Sequence, residues 1–248
     1  MIVSIKSSYE INLMRKAGAI VRDVLALLEE HAKPGITTQK LDKIAYQYIK
    51  ECNATPSFLG YGGFPGSICT SIDEEVVHGI PSHRVLEEGM LLKVDVGANY
   101  KNYHSDAARS IAIGEISEEK KQLAKVCKES FFEGVSILRP NVRLGDLGNK
   151  IQTYVEAHGF SVIRELVGHG IGSSLHEMPN VPNYGVQGMG LRLKKGMTIA
   201  IEPMINIGTH KVKTLEDDWT IVTLDKSCSA HYENTVLITD DGVEILTL

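Results

Sequence analysis

The chain has little of what other protein classes depend on. Its 248 residues hold four cysteines (Cys52, Cys69, Cys127, Cys228) and no Cys-x-x-Cys pair. Neither a disulfide framework nor a zinc ribbon is indicated, and reduced thiols in the cytoplasm are expected. No stretch approaches the ~18 consecutive apolar residues of a membrane span. The start, Met1-Ile2-Val3-Ser4-Ile5-Lys6, lacks the basic-then-apolar layout of a secretory signal. Basic residues are not in excess: 26 Lys+Arg face 31 Asp+Glu, net −5, which argues against binding nucleic-acid phosphates as a main task. Low-complexity stretches and linkers are also missing.

What the chain does hold is helical and strand patterning in two related sets. Ser7-x-x-Glu10 is a capping box ahead of Met14, Ala17, Val21, Val24, Leu25 and Leu28 at helical spacing. Pro34-Gly35 closes that helix, and a second carries Leu41, Ile44, Ala45 and Tyr48, with Asn53 as its stop. A second pair follows, one helix starting near Ser117 and another carrying Leu147, Ile151, Tyr154 and Val155 up to Gly159. Pro34–Leu41 and Pro140–Leu147 stand 106 residues apart, while Glu88-Gly-Met leading to Asp95 and Lys195-Gly-Met leading to Glu202 stand 107 apart. A period that long is no solenoid. The expectation is a single α+β domain over 1–248, made of two αα-plus-antiparallel-sheet halves, approximately 1–114 and 115–248.

The strand-like runs carry acids where acids are costly. Leu91–Val96 and Ala107–Ile113 read as a hairpin through Gly97–Asn102. A turn centred between Tyr100 and Lys101 sets Asp95 directly opposite Asp106, and like charges facing across a sheet destabilise it. Either one carboxyl is protonated or a divalent cation lies between them. Glu202 ends the apolar run Thr198–Ile201 before Pro203, and Glu233 stands where another strand begins. His169 lies among glycines in Gly168-His-Gly-Ile-Gly172, open to close approach. Two Asp, two Glu and one His form an oxygen-dominated set suited to a pair of divalent ions with bridging carboxylates rather than to structural zinc. Two ions roughly 3.5–4 Å apart activate a shared water for hydrolysis.

Val94-Asp95-Val96 with Asp106 eleven residues on, Gly168–Gly172, Ile201-Glu202-Pro203-Met204 and Tyr232-Glu233-Asn234-Thr235 occur in this order across nearly the whole chain. In that combination the sequence resembles the type I methionine aminopeptidases, whose fold is the pita-bread fold. The resemblance implies removal of the N-terminal methionine from nascent polypeptides, preferring a small second residue. It implies Asp95 as ligand of one ion, Asp106 and Glu233 as bridges, and His169 and Glu202 as ligands of the other, with Glu202 also the general base. His78, in Val77-His-Gly-Ile-Pro81, resembles the histidine that assists at the scissile amide. His176, in Ser174-Leu-His-Glu-Met-Pro179, resembles the one that stabilises the carbonyl oxygen.

Tyr61, Phe64, Cys69 and Trp219 match pocket positions of that family, with Leu175 a further wall; aromatic and sulfur-bearing walls suit methionine. Cys69 reads as a wall rather than a nucleophile. The metals would be Co, Mn, Fe or Zn, since an oxygen-rich site admits each according to availability. A monomer with a ribosomal partner, and with neither nucleic-acid specificity nor membrane attachment, is the expectation. Two rivals stand beside this reading. One is a prolidase or X-Pro aminopeptidase, which usually carries a further N-terminal domain; the other is a non-catalytic peptide-binding or ribosome-associated protein, which would typically have lost metal ligands.

Overall fold

The structure, a computed structural model, describes residues 3–248. Helix α1 spans Ser8–His31. Ser7 Oγ accepts from the Glu10 amide while Glu10 Oε2 accepts from the Ser7 amide at 2.7 Å, the reciprocal box expected from the spacing. Helix α2 (Thr38–Glu51) starts on the Thr37 hydroxyl and stops where Asn53 turns left-handed, φ 55°. Helix α3 (Glu118–Ser136) starts on Ser117, and α4 (Leu144–Ala157) begins where Asp146 reaches back to the Arg143 amide.

Strands β1 (Thr55–Pro56), β2 (Ile68–Ile72) and β3 (Glu75–Val77) precede the long hairpin β4 (Leu91–Tyr100) and β5 (Tyr103–Ala112). After α4 come β6 (Ser161–Val162), β7 (Gly168–Gly170), β8 (Glu177–Val181), β9 (Thr198–Ile201) and β10 (Met204–Asn206). The last are β11 (Val212–Thr214), β12 (Ile221–Thr223), β13 (Ser229–His231), β14 (Asn234–Ile238) and β15 (Val243–Ile245). In one sheet β4 pairs with β5 along one edge and with β1 and β2 along the other. Another runs β15-β14-β9-β7-β8, and β13-β10-β6 and β11-β12-β3 complete the set. Each ladder between these strands is antiparallel.

Alternation along β4 divides its side chains between two jobs. Leu92, Val94 and Val96 pack under α1 and α2 with Val21, Leu28, Leu41 and Ile49. Each such side chain contributes roughly 1.5–3 kcal/mol by leaving water. Lys93, Asp95 and Gly97 share the other face, turned away from those helices. A second cluster joins α3 and α4 to Ile199, Ile201, Ile205, Val236 and Ile238. Helices therefore cover the outer faces of the sheets, and the acids lie on the inner ones. Short backbone bonds join the inner faces: the Glu233 amide donates to Ala108 O at 3.1 Å and the Ala108 amide returns to Glu233 O at 3.3 Å. Ser110 Oγ bridges both backbone groups of His231, at 3.1 Å to its amide and 2.9 Å to its carbonyl.

The hairpin departs from the expected register. Its two-residue turn is Lys101-Asn102, both left-handed at φ 52° and 66°, and Tyr100 pairs with Tyr103. Asp95 thus faces Ala108, and Asp106 faces Gly97. A turn one residue earlier would force the bulky Tyr100 to positive φ, whereas Asn tolerates it, and the Tyr100–Tyr103 pair gains a cross-strand contact. The two acids are diagonal neighbours on one face, not direct opposites.

The positions 106 and 107 residues apart behave alike. Thr37 bridges Val85 as Arg143 bridges Arg192. Met90 Sδ accepts from the Glu87 amide and Met197 Sδ from the Lys194 amide, at 3.2 and 3.3 Å. Gly89 and Gly196 are both left-handed, at φ 90° and 82°.

Candidate active site

Five strand segments deliver the acids and the imidazole to one cavity. Asp95 comes from the middle of β4 and Asp106 from β5; His169 comes from β7, Glu202 from the break between β9 and β10 before Pro203, and Glu233 from the step between β13 and β14. His169 is central because β7 is squeezed between neighbours. A Cβ at Gly168 would run into the Ala200 carbonyl and one at Gly170 into the Met178 carbonyl, so glycine on both sides of His169 lets β8 and β9 close in.

Ligand atoms of Asp106, His169 and Glu233 lie within 4.8 Å of one another. His169 Nδ1 donates to Gly170 O at 2.8 Å, which leaves the Nε2 lone pair facing Asp106 Oδ2 at 3.6 Å and Glu202 Oε1 at 3.7 Å. Glu202 Oε2 and Glu233 Oε2 lie 3.7 and 3.9 Å from Nε2 of His231. Thr235 Oγ1 steadies Asp106, 2.9 Å from its carbonyl and 3.2 Å from its carboxylate. Asp95 Oδ1 and both ring nitrogens of His231 are buried without a partner.

Burial, with the charge of Asp106 added, pushes Asp95 well above the usual carboxylate range. Burial, then the charges of Asp95 and Asp106, does the same to Glu202. Glu233 is raised by burial and by all three other acids, and burial lifts Asp106 to about 7. Burial pushes the imidazoles the other way: His78, His169 and His176 fall to about 4 and His231 to about 3. Carboxylates that repel one another, an imidazole lone pair aimed at them and an orphaned Asp95 oxygen describe a site whose donors fit divalent cations.

A cavity of about 590 Å³ opens beside these groups. Each of the eleven residues singled out in the sequence lines it: the five above together with His78, His176, Tyr61, Phe64, Cys69 and Trp219. Leu175 lines it too. Trp219 packs edge-on against Phe64 at 5.1 Å between centroids and against His78 at 6.4 Å. His78 is left-handed at φ 62°, a strained backbone that turns its ring into the cavity. Burial lifts the Cys69 thiol far above its ordinary value, so it stays protonated.

This arrangement has relatives. The model of metallopeptidase family M24 matches residues 12–240. The chain belongs to metallopeptidase family M24. The methionine aminopeptidase of Clostridium acetobutylicum is 58% identical over 99% of both chains. Methionine aminopeptidase 1 of Bacillus subtilis is 50% identical over 98% of both. The crystal structure of the methionine aminopeptidase from Thermotoga maritima superposes with a TM-score of 0.98 at 44% identity, covering 99% of each chain. The fold is the pita-bread fold, and the activity is that of a methionine aminopeptidase, a metal-dependent hydrolase.

Three features of the site went unread in the sequence. Thr235 stands inside a quoted motif, yet nothing local shows that its hydroxyl reaches Asp106. His231 sits between Glu202 and Glu233 with its ring unpartnered. Glu177 lines the cavity and is ion-paired with the buried Lys6, 171 positions earlier. His104 does not line the cavity; Ser57 Oγ lies 2.9 Å from its Nδ1 and Asn99 Nδ2 3.1 Å from its Nε2.

Proposed function

We propose that this enzyme removes the initiator methionine from new polypeptides with a small second residue, using two divalent ions held by Asp95, Asp106, His169, Glu202 and Glu233. The observation that carries the reading is the meeting of those five donors in one cavity with an aromatic and sulfur-bearing wall. Asp106 and Glu233 share the centre of the donor set and suit the bridging positions. Asp95 serves one ion; His169 and Glu202 serve the other.

Bound divalent ions supply Lewis acidity and lower the pKa of a coordinated water. The protein's own groups do the rest. Glu202, whose carboxylate lies beside the other donors, takes the proton of the attacking water. His176, neutral near pH 7, offers an N–H to the carbonyl oxygen as it gains charge. His78 stands at the scissile amide nitrogen and manages its proton. Phe64, Trp219, Cys69 and Tyr61 enclose the methionine side chain, whose flexible thioether packs well against aromatic rings.

Action in the cytoplasm, as a monomer that meets chains at the ribosome, belongs to the same reading. So does the origin of the single domain from two halves, 1–114 and 115–248, which the paired bridges and methionine sulfur contacts support. The deciding experiment is metal analysis together with release of methionine from Met-Ala-Ser, before and after chelation, with an X-Pro peptide alongside. Chelator-sensitive release from Met-Ala-Ser is expected. Preference for the X-Pro peptide, or peptide binding without turnover in metal-supplied protein, would sink the proposal.

A further inference from the structure

Lys93 is among the largest fully buried side chains of the described residues, and the only charged one of that group. An ammonium withdrawn from water costs stability unless it finds partners. No carboxylate oxygen of the described residues lies within ion-pair distance of it. Its Nζ instead donates to the carbonyl of Asp73 at 2.8 Å, with Leu91 O at 3.4 Å. The Asp73 carboxylate is engaged elsewhere, accepting from Lys120 Nζ at 2.6 Å and the Leu91 amide at 3.0 Å.

The Asp73 carbonyl has a second donor, the amide of Ser229, at 2.9 Å. One oxygen therefore joins β4 to β13. Lys93 lies two residues before Asp95 on the same face of β4. Ser229 opens the segment that continues to His231 and Glu233. Along the junction the bonds run in sequence: Thr235 on Asp106, Glu233 on Ala108, His231 on Ser110, then Ser229 and Lys93 together on Asp73.

We propose that Lys93 is a positioning residue, an internal cation that seats on the Asp73 carbonyl and fixes the strand bearing Asp95 against the segment bearing Glu233. The inference rests on the divalent-ion reading above. It makes the spacing of the ligands depend on a side chain that touches none of them.

A side chain there only for packing would be replaced by methionine without consequence at the metal centre. Exchanging a buried charge for an apolar group of similar length is often neutral or stabilising. Lys93→Met should therefore melt no lower than the parent yet bind Mn²⁺ at least about tenfold more weakly in calorimetric titration, the range seen when outer support of a metal site is lost. Lys93→Ala should lose Mn²⁺ affinity too, and methylammonium should restore it saturably while leaving the parent unchanged. Undiminished Mn²⁺ affinity in folded Lys93→Met overturns the proposal. So does a loss in Lys93→Ala that methylammonium fails to reverse, which remains decisive if Lys93→Met does not fold. Absence of Mn²⁺ binding by the parent would instead refute the divalent-ion reading itself.

Discussion

The Tyr61 hydroxyl lies 2.7 Å from Nδ1 of His176, with the two rings tilted at 53°. A hydroxyl donating to Nδ1 leaves the ring proton on Nε2, the tautomer able to donate to a carbonyl oxygen. Tyr61→Phe keeps the wall and removes the donor. Its kcat on Met-Ala-Ser should fall about tenfold, with KM changed less than about twofold, the pattern of an interaction used mainly in the transition state. Steady-state kinetics read both.

Asp106→Asn and Glu233→Gln should lower metal content as well as turnover, because each is assigned to both ions. Elemental analysis of the folded variants checks this, and full metal content in both would remove the bridging assignment. His176→Ala separates the roles. It should reduce turnover about 10²–10³-fold, as the loss of an oxyanion donor does, at unchanged metal content.

Protonation links the site to stability with a definite sign. The four acids ionise near ~4 in the unfolded chain but higher in the metal-free fold, Asp106 at about 7 and the others above the usual range. The fold then holds more protons than the unfolded chain, so this stability is lost as pH rises through the folded values. The histidines run oppositely: with folded values of about 4, and about 3 for His231, they reduce stability as pH falls below ~6.5. Between pH 7 and 8.5 the carboxyls lower stability as they ionise, while Lys93, brought down to about 8 by burial, opposes them. Chelated protein should melt lower at pH 8.5 than at pH 7. Mn²⁺-loaded protein should not, because bound cations keep the acids ionised throughout. Calorimetry at the two pH values, with and without chelator, measures the difference.

The hairpin register can be tested at Asn102, held at φ 66°. Asn102→Gly should leave stability nearly unchanged, while Asn102→Val should cost about 1–2 kcal/mol, since a β-branched residue resists the left-handed region. Urea denaturation of both variants measures this, and equal tolerance would contradict the Lys101-Asn102 turn.

Two helix starts were legible because caps are local: Ser7 and Ser117 each accept the amide three residues on, whereas the Thr37 cap of α2 was not read. The acids were legible because carboxylates in or beside apolar strands need a reason. The register was not. Alternation tells which face a residue takes, and Asp95 and Asp106 share a face in either pairing; the choice between pairings lies in which residues accept positive φ. Lys93 escaped notice because its partner is the backbone of Asp73, twenty positions away, and a carbonyl leaves no mark in the residue pattern. Likewise, no local signal foretells that Ala108 will exchange amide bonds with Glu233.

That exchange has a consequence for the enzyme's own synthesis. Glu233 is the last of the donors to be translated, and its backbone bonds to Ala108 fix it only after a segment made much earlier has been met again. A polypeptide still being elongated before that point carries four donors and no finished centre. On the proposed ligand assignment, the centre is completed only when this late segment joins the early hairpin.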